Sequence, residues 1–307
     1  MHQFEQGVPA DFVKPTQLPE SPEQARQWQQ ANRSWWEANP MRYDWREGVA
    51  PAEFSRAFYE EIDQRFLKTS REFMPWKTVP FDPLIDFEAL KQQDVLEIGC
   101  GNGSHAGLLA AHAKSYTGVD LTEYAVKSTT ARMGHFGLSA DIRRMDAENL
   151  EFPDGSFDFV WSWGVIHHSS NTRKILEGMR RVLRPGGKAT VMVYNRSFFQ
   201  YWVCGALLTG IVRGRLFKLG SLNQVIQSMT DGAMARYFKG GEWRKFASDF
   251  FHTDRVRYYG NKPEFWPIPG SKLKRGLVKI TPNVVSRFFL NTMRQGSFLV
   301  AEMTRKD

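Results

Sequence analysis

Asp94-Val95-Leu96-Glu97-Ile98-Gly99-Cys100-Gly101-Asn102-Gly103, running on into Ser104-His105-Ala106-Gly107-Leu108-Leu109-Ala110-Ala111, is the stretch that decides the fold. It reads as a buried strand, a three-glycine turn and a helix, the arrangement by which an α/β fold builds a site for a nucleotide-sized ligand. Gly99, Gly101 and Gly103 carry no Cβ, so the turn can take φ > 0 and a ligand can lie against bare backbone. Taken alone, the pattern also fits a tight strand-to-helix turn with no ligand.

The flanking sequence favours the ligand site. After the turn, strand and helix patterns alternate: a strand at 114–121, a helix at 122–136, strands at 142–146 and 157–163, a helix at 172–182, a Leu-Arg-Pro-Gly-Gly turn at 183–187 and a strand at 188–194. Such alternation makes a parallel sheet, because each connection crosses back over a face, and ligands bind beyond the carboxyl ends of its strands. Three acids stand at those ends: Glu97, Asp120 and Asp146. Asp120 follows the glycine turn at the distance from which a carboxylate reaches a ribose diol, and Asp146 is placed to accept from an exocyclic amine or else to cap a turn. No Lys or Arg lies in or just after the turn before Lys114 and no Gly-Lys-Ser/Thr ending is present, so a polyphosphate would lack a local cation. The carboxylates instead favour a ligand carrying positive charge.

Composition sets the wider frame. A 307-residue chain with 42% hydrophobic and 24% charged residues is expected to be globular, with one α/β domain and additions. Cys100 and Cys204 are too few for a disulfide framework or a zinc cluster, and the N-terminus carries no secretory pattern, so the expected compartment is the cytoplasm and the expected metal content none. The net charge of +8 is uneven: from Ser197 onward 18 Lys and Arg stand against 7 Asp and Glu, and before it 23 stand against 26. This bias fits an acidic partner, whether a phosphorylated substrate, nucleic acid or an anionic membrane, and equally a solvated basic face.

The ordered motifs Glu97-Ile98-Gly99-Cys100-Gly101-Asn102-Gly103, Gly118-Val119-Asp120-Leu121, Met145-Asp146-Ala147-Glu148, Gly164-Val165-Ile166-His167-His168 and Leu183-Arg184-Pro185-Gly186-Gly187 resemble class I S-adenosylmethionine-dependent methyltransferases over about residues 90 to 195. A looser similarity to bacterial small-molecule methyltransferases continues beyond Asn195. The resemblance implies a Rossmann-like seven-stranded sheet flanked by helices, with one antiparallel strand at 296–304 beside 252–259. It implies a cofactor site in which Gly99, Cys100 and Gly101 hold the methionine end with Glu97 near its amine. Asp120 takes the ribose, Leu121 packs on the adenine, Asp146 and Ala147 read its edge, and Ser162, Trp163 and Gly164 line the sulfonium side. The cofactor would be S-adenosylmethionine and the product S-adenosylhomocysteine.

Additions to this core are expected to build the acceptor pocket. Residues 1–85 read as a proline-bearing loose leader and a helical lid, 86–196 as the cofactor core, 197–250 as an inserted substrate-side helical segment and 251–307 as the strands that complete the sheet. Phe54, Phe58, Ile62 and Phe66 share helical spacing and are expected in the core. Trp36 and Tyr43 from one lid, with Phe198, Tyr201 and Tyr258 from the other, are expected around a small, partly apolar biosynthetic acceptor, anionic in one reading. The apolar run 197–212 is too short to span a bilayer and reads as a lid helix, with an interfacial helix as the second reading given Arg213, Arg215 and Lys218. Methyl transfer rests mainly on positioning, and a base is needed only where the acceptor proton must leave early. His168, His167 and Tyr194 are the candidates for that base, and a structural or cofactor-side role for the histidine pair stands beside it. Alternative readings keep the cofactor for a cyclase-like or structural role, or make the basic third a nucleic-acid surface; the scattered cations argue against the latter.

Overall fold

The computed structural model describes residues 8–42 and 48–307. Its sheet is ordered β3-β2-β1-β4-β5-β8-β7, with strands β1 (Asp94–Ile98), β2 (Ser115–Asp120), β3 (Asp141–Arg144), β4 (Phe157–Trp163), β5 (Leu183–Asn195), β7 (Phe251–Tyr259) and β8 (Phe298–Arg305). A two-residue strand, β6 (Tyr237–Phe238), pairs in parallel with the end of β5 and is an addition to the expected seven. Pairing along β3-β2-β1-β4-β5 is parallel, and β8 runs antiparallel to both β5 and β7, as the resemblance implies.

Strand order turns back between β1 and β4. Both strands are buried on each face, β1 in the pattern Val95, Leu96, Ile98 and β4 with Val160 and Trp161 wholly enclosed, because helices cover the sheet on both sides. One core, built on Leu96, Ile98, Leu176, Val191 and Trp243, fills one face; another, built on Val95, Phe81, Leu109, Trp161 and Val300, fills the other. The carboxyl ends of β1, β2, β4 and β5 therefore project into one rim, where the turns rather than the strands meet a ligand.

Helices α1 (Pro22–Ala38) and α2 (Arg56–Phe73) start at serine N-caps, Ser21 and Ser55, whose hydroxyls accept from Gln24 and Phe58. Phe58, Ile62 and Phe66 of α2 are buried; Phe54 precedes the helix at φ +64 and is only partly covered. The proline-bearing leader is not loose over its described part. Phe12 is wholly buried against Trp28 and Met234, and the Arg236 guanidinium donates to the carbonyls of Gln17, Ser169 and Ser170. The run expected to be a lid helix is a π-helix, Phe198–Val212, and the short helices Arg215–Leu219, Leu222–Gln227, Lys272–Ile280 and Asn283–Arg287 follow it.

Candidate active site

At the tip of β1 the backbone turns through Gly99 (φ +81), Gly101 (φ +56) and Gly103 (φ +84), the left-handed region that disfavours a side chain. A Cβ on Gly99 would stand 2.2 Å from Val165 Cγ2, whereas Gly101 meets nothing within 4 Å, so the turn is packed on one side and open on the other. The Gly101 N–H donates to Asp120 Oδ2 at 3.0 Å, and Asp120 Oδ1 accepts from the N–H and hydroxyl of Thr122, each at 2.9 Å. Asp146 Oδ1 accepts from the Glu148 N–H and from the Gln29 amide, both at 2.9 Å. Glu97 is buried and accepts the Tyr116 hydroxyl at 2.5 Å.

All three carboxyls are shifted upward. Burial is the largest cause for each, and it pushes Glu97 up to about 8. Nearby cations do not offset it: Arg132 acts only weakly on Glu97, and Lys174 on Asp146. A wall of desolvated carboxyls beside an open glycine turn fits a ligand that brings its own positive charge and a diol, as the sulfonium cofactor does. A polyphosphate would add like charge to it.

The same cavity, of about 1300 Å³, continues past β4 and β5 to a second chamber. That exceeds the roughly 300–1,000 Å³ of a typical small-molecule pocket, leaving room for a second ligand beside the first. His168 lines it, with Nδ1 2.8 Å from the Met234 carbonyl oxygen. A carbonyl only accepts, so Nδ1 carries the proton and Nε2 keeps its lone pair. Nε2 has no hydrogen-bond partner among the described residues, and burial holds the ring below its ordinary pKa and therefore neutral. Gly232 (φ +86) wraps this ring so closely that a Cβ there would stand 2.5 Å from Nδ1. Beside it the Tyr194 hydroxyl donates to Asp231 Oδ1, and Tyr237 shares a 2.5 Å hydrogen bond with Thr230. Glu264, also on the chamber wall, accepts from the Asn261 and Ser297 N–H groups and the Ser297 hydroxyl, and burial pushes it up to about 7.

Residues 96–191 match the family model of a methyltransferase domain. The chain carries a class I S-adenosylmethionine-dependent methyltransferase domain. It is 43% identical over 97 residues to the phthiotriol/phenolphthiotriol dimycocerosates methyltransferase of Mycobacterium tuberculosis, a match covering 31% of this chain and 35% of that protein. The chain thus spans about a third of that relative's length. It is 30% identical over 157 residues to the ubiquinone biosynthesis O-methyltransferase of Aromatoleum aromaticum, covering 49% of this chain and 65% of the relative. Against the protein of the same name from Dechloromonas aromatica it is 26% identical over 201 residues, covering 62% and 80%.

Within this methyltransferase domain and its additions, the structure brings Glu97, Gly99, Cys100, Gly101, Asp120, Leu121, Asp146, Ala147, Trp163 and Gly164 to one cavity wall. Ser162 is not on it: the side chain is wholly buried and its hydroxyl donates to the Ile98 carbonyl at 3.0 Å, tying β4 to β1 behind the site. Trp36 lines the cavity, its ring edge-on to His168 at 5.1 Å, and Tyr201 and Tyr194 line the second chamber. Tyr43 lies outside the described residues.

Three further expected site residues stand elsewhere, as Ser162 does. His167 is wholly buried between His168 and Tyr194, both ring centroids 4.1 Å away, and packs behind the chamber wall. Phe198 is 69% exposed, because the π-helix turns Tyr201 inward and Phe198 outward. Tyr258 points to the face of the sheet that carries Gly240, while the alternation of the strand sends Tyr259 to the other. Arg257, next to Tyr258 on the same strand, pairs with Glu302 at 2.5 Å. Asp231, Gln29 and Glu264 are site residues that sequence reasoning misses. Asp231-Gly232 is a turn signature, and nothing in it distinguishes a turn at a site from any other.

Proposed function

We propose that the chain transfers the methyl group of S-adenosylmethionine to an oxygen of a small, partly apolar acceptor held in the second chamber. The observation that carries this reading is the single cavity running from Asp120 and Asp146 to His168, Tyr194 and Asp231. When bound, the cofactor supplies an already electrophilic methyl group. Asp120 would hold the ribose hydroxyls and Asp146, with the Ala147 amide, the adenine edge, while Glu97 would face the amine. What remains for the protein is to align the acceptor and exclude water.

His168 Nε2 would take the acceptor proton once a bound acceptor displaces the side chains that cover it, since its lone pair is unpaired and the ring is held neutral. The Tyr194 phenol has given its proton to the bond with Asp231, so its oxygen is left to accept from an acceptor hydroxyl and orient it. Transfer to oxygen is supported by the similarity to ubiquinone biosynthesis O-methyltransferases. Calorimetric titration tests the cofactor half: Asp120→Ala should lose at least about tenfold in affinity for S-adenosylmethionine, two charge-assisted hydrogen bonds being removed. Unchanged affinity would remove the ribose assignment.

A further inference from the structure

The second chamber is bordered by two segments of unusual composition. Residues 197–230 contain Arg213, Arg215 and Lys218 and no Asp or Glu; residues 265–301 contain Lys272, Lys274, Arg275, Lys279, Arg287 and Arg294 and again no Asp or Glu. Both expose large apolar side chains among these cations. On the first, Phe198, Trp202, Leu207, Ile211 and Phe217 are between 43% and 82% exposed; on the second, Leu273, Ile280, Val284 and Phe288 are between 60% and 75% exposed.

The spacing on the first segment is that of a single face. In a π-helix the hydrogen bonds run from i to i+5, so a face recurs about every four to five residues. Positions 198, 202, 207 and 211 follow that period, and Tyr201, Gly205, Thr209 and Gly210 form the buried face between them. The Lys272–Ile280 helix has no buried residue at all. Lys274, Leu277 and Val278 are only partly covered, and nine residues of helix are too few to be stable in water on propensity alone, so a helix that buries this little is suited to lying on a surface.

The two segments adjoin. Phe199 and Phe289 meet at 5.0 Å and Phe265 and Phe289 at 5.4 Å, and the Phe199 N–H donates to Gln295 Oε1 at 3.0 Å. The exposed Phe198 and Phe288 are the chain neighbours of this contact, so the two segments present their apolar side chains from adjoining elements. Arg213 and Lys274 also line the cavity, so the cationic apolar area reaches the second chamber. No helix among the described residues is long and apolar enough to cross a membrane.

We infer that this area is a monotopic docking face for an anionic membrane surface, with the second chamber opening beside it. Large apolar side chains interleaved with cations and free of acids match the boundary between acyl chains and anionic headgroups. Nucleic acid would take the cations but leave the apolar side chains in water. The face would let a lipid-dissolved acceptor enter the chamber without passing through water; only this last clause rests on the methyltransferase reading.

Vesicle flotation of the full chain tests the face directly, and needs no turnover. With vesicles of phosphatidylcholine carrying about one third phosphatidylglycerol, binding should be at least about tenfold stronger than with phosphatidylcholine alone, and should fall as salt approaches about 1 M. Phe198→Ser with Phe217→Ser, and separately Arg275→Glu with Lys279→Glu, should each lower it at least about tenfold while circular dichroism and S-adenosylmethionine affinity stay unchanged. Absence of binding, or equal binding to both vesicles, overturns the inference. Loss in the charge variant without loss in the phenylalanine variant also overturns it, pointing to a polyanion such as nucleic acid. Self-association abolished by Phe198→Ser, with no vesicle binding, overturns it in favour of a second copy of the chain.

Discussion

Glu97 couples the site to pH. Its carboxyl ionises near 4.5 in the unfolded chain and near 8 in the folded one, burial being the main cause. Between those values the folded state binds the extra proton, so this group's contribution to stability is full below 4.5 and is lost as pH rises towards 8. Thermal melts of the ligand-free protein should therefore fall with rising pH across that window, and less steeply in Glu97→Gln; equal slopes would contradict the assignment. A cationic ligand beside Glu97 reverses the preference, so binding at neutral pH should release protons. Calorimetry in buffers of different ionisation enthalpy reads that release, which should shrink in Glu97→Gln. His168 is the other decisive side chain. His168→Gln should lower kcat by about 10²-fold or more with cofactor affinity kept, the scale of a lost general base. A rise in KM alone would make it a positioning residue. Glu97, Asp120 and Asp146 are legible as site acids because they end successive strands. His167 and His168 are not separable by sequence, since what divides them is the Met234 carbonyl, 66 residues away from His168.

Among the elements, the turns carry the site and the additions enclose it. Strands β1, β2, β4 and β5 and their helices are legible because each has the period and length of a covered strand or an amphipathic helix, whereas the short, mostly exposed β3 is legible only by its place in the strand–helix alternation. The 198–212 segment defeats that method: its face repeats at the π-helical period, so a search at 3.6 residues finds only a uniformly apolar run and cannot tell Tyr201 from Phe198. The leader defeats it differently, since its order comes from a distant residue. Arg236 is wholly buried, and burial pushes its guanidinium down to about 9, yet it donates to three backbone carbonyls that join the leader to the turn after His168. Arg236→Met keeps most of the volume and strands those acceptors, so it should cost roughly 3 kcal/mol, read as a fall of several degrees in the thermal midpoint. No change would mean that the leader is held by Phe12 and Trp28 alone.

For the whole molecule, one cavity joins a carboxyl-lined wall suited to a sulfonium cofactor to a chamber holding a neutral histidine with an unpaired ring nitrogen. Its volume suits two ligands; the methyltransferase domain supplies the first half and His168 of the second, and the rest of the second comes from the π-helix, the 228–237 loop and the 261–274 segment. The acceptor is accordingly written in the part of the chain that departs from the family pattern. The most direct measurement is incubation of the protein with methyl-labelled S-adenosylmethionine and a solvent extract of bacterial lipids and quinone precursors. Label should move into an extractable product with equimolar release of S-adenosylhomocysteine, and both should be lost in Asp120→Ala. Tight binding of the cofactor with the label retained on it would contradict methyl transfer.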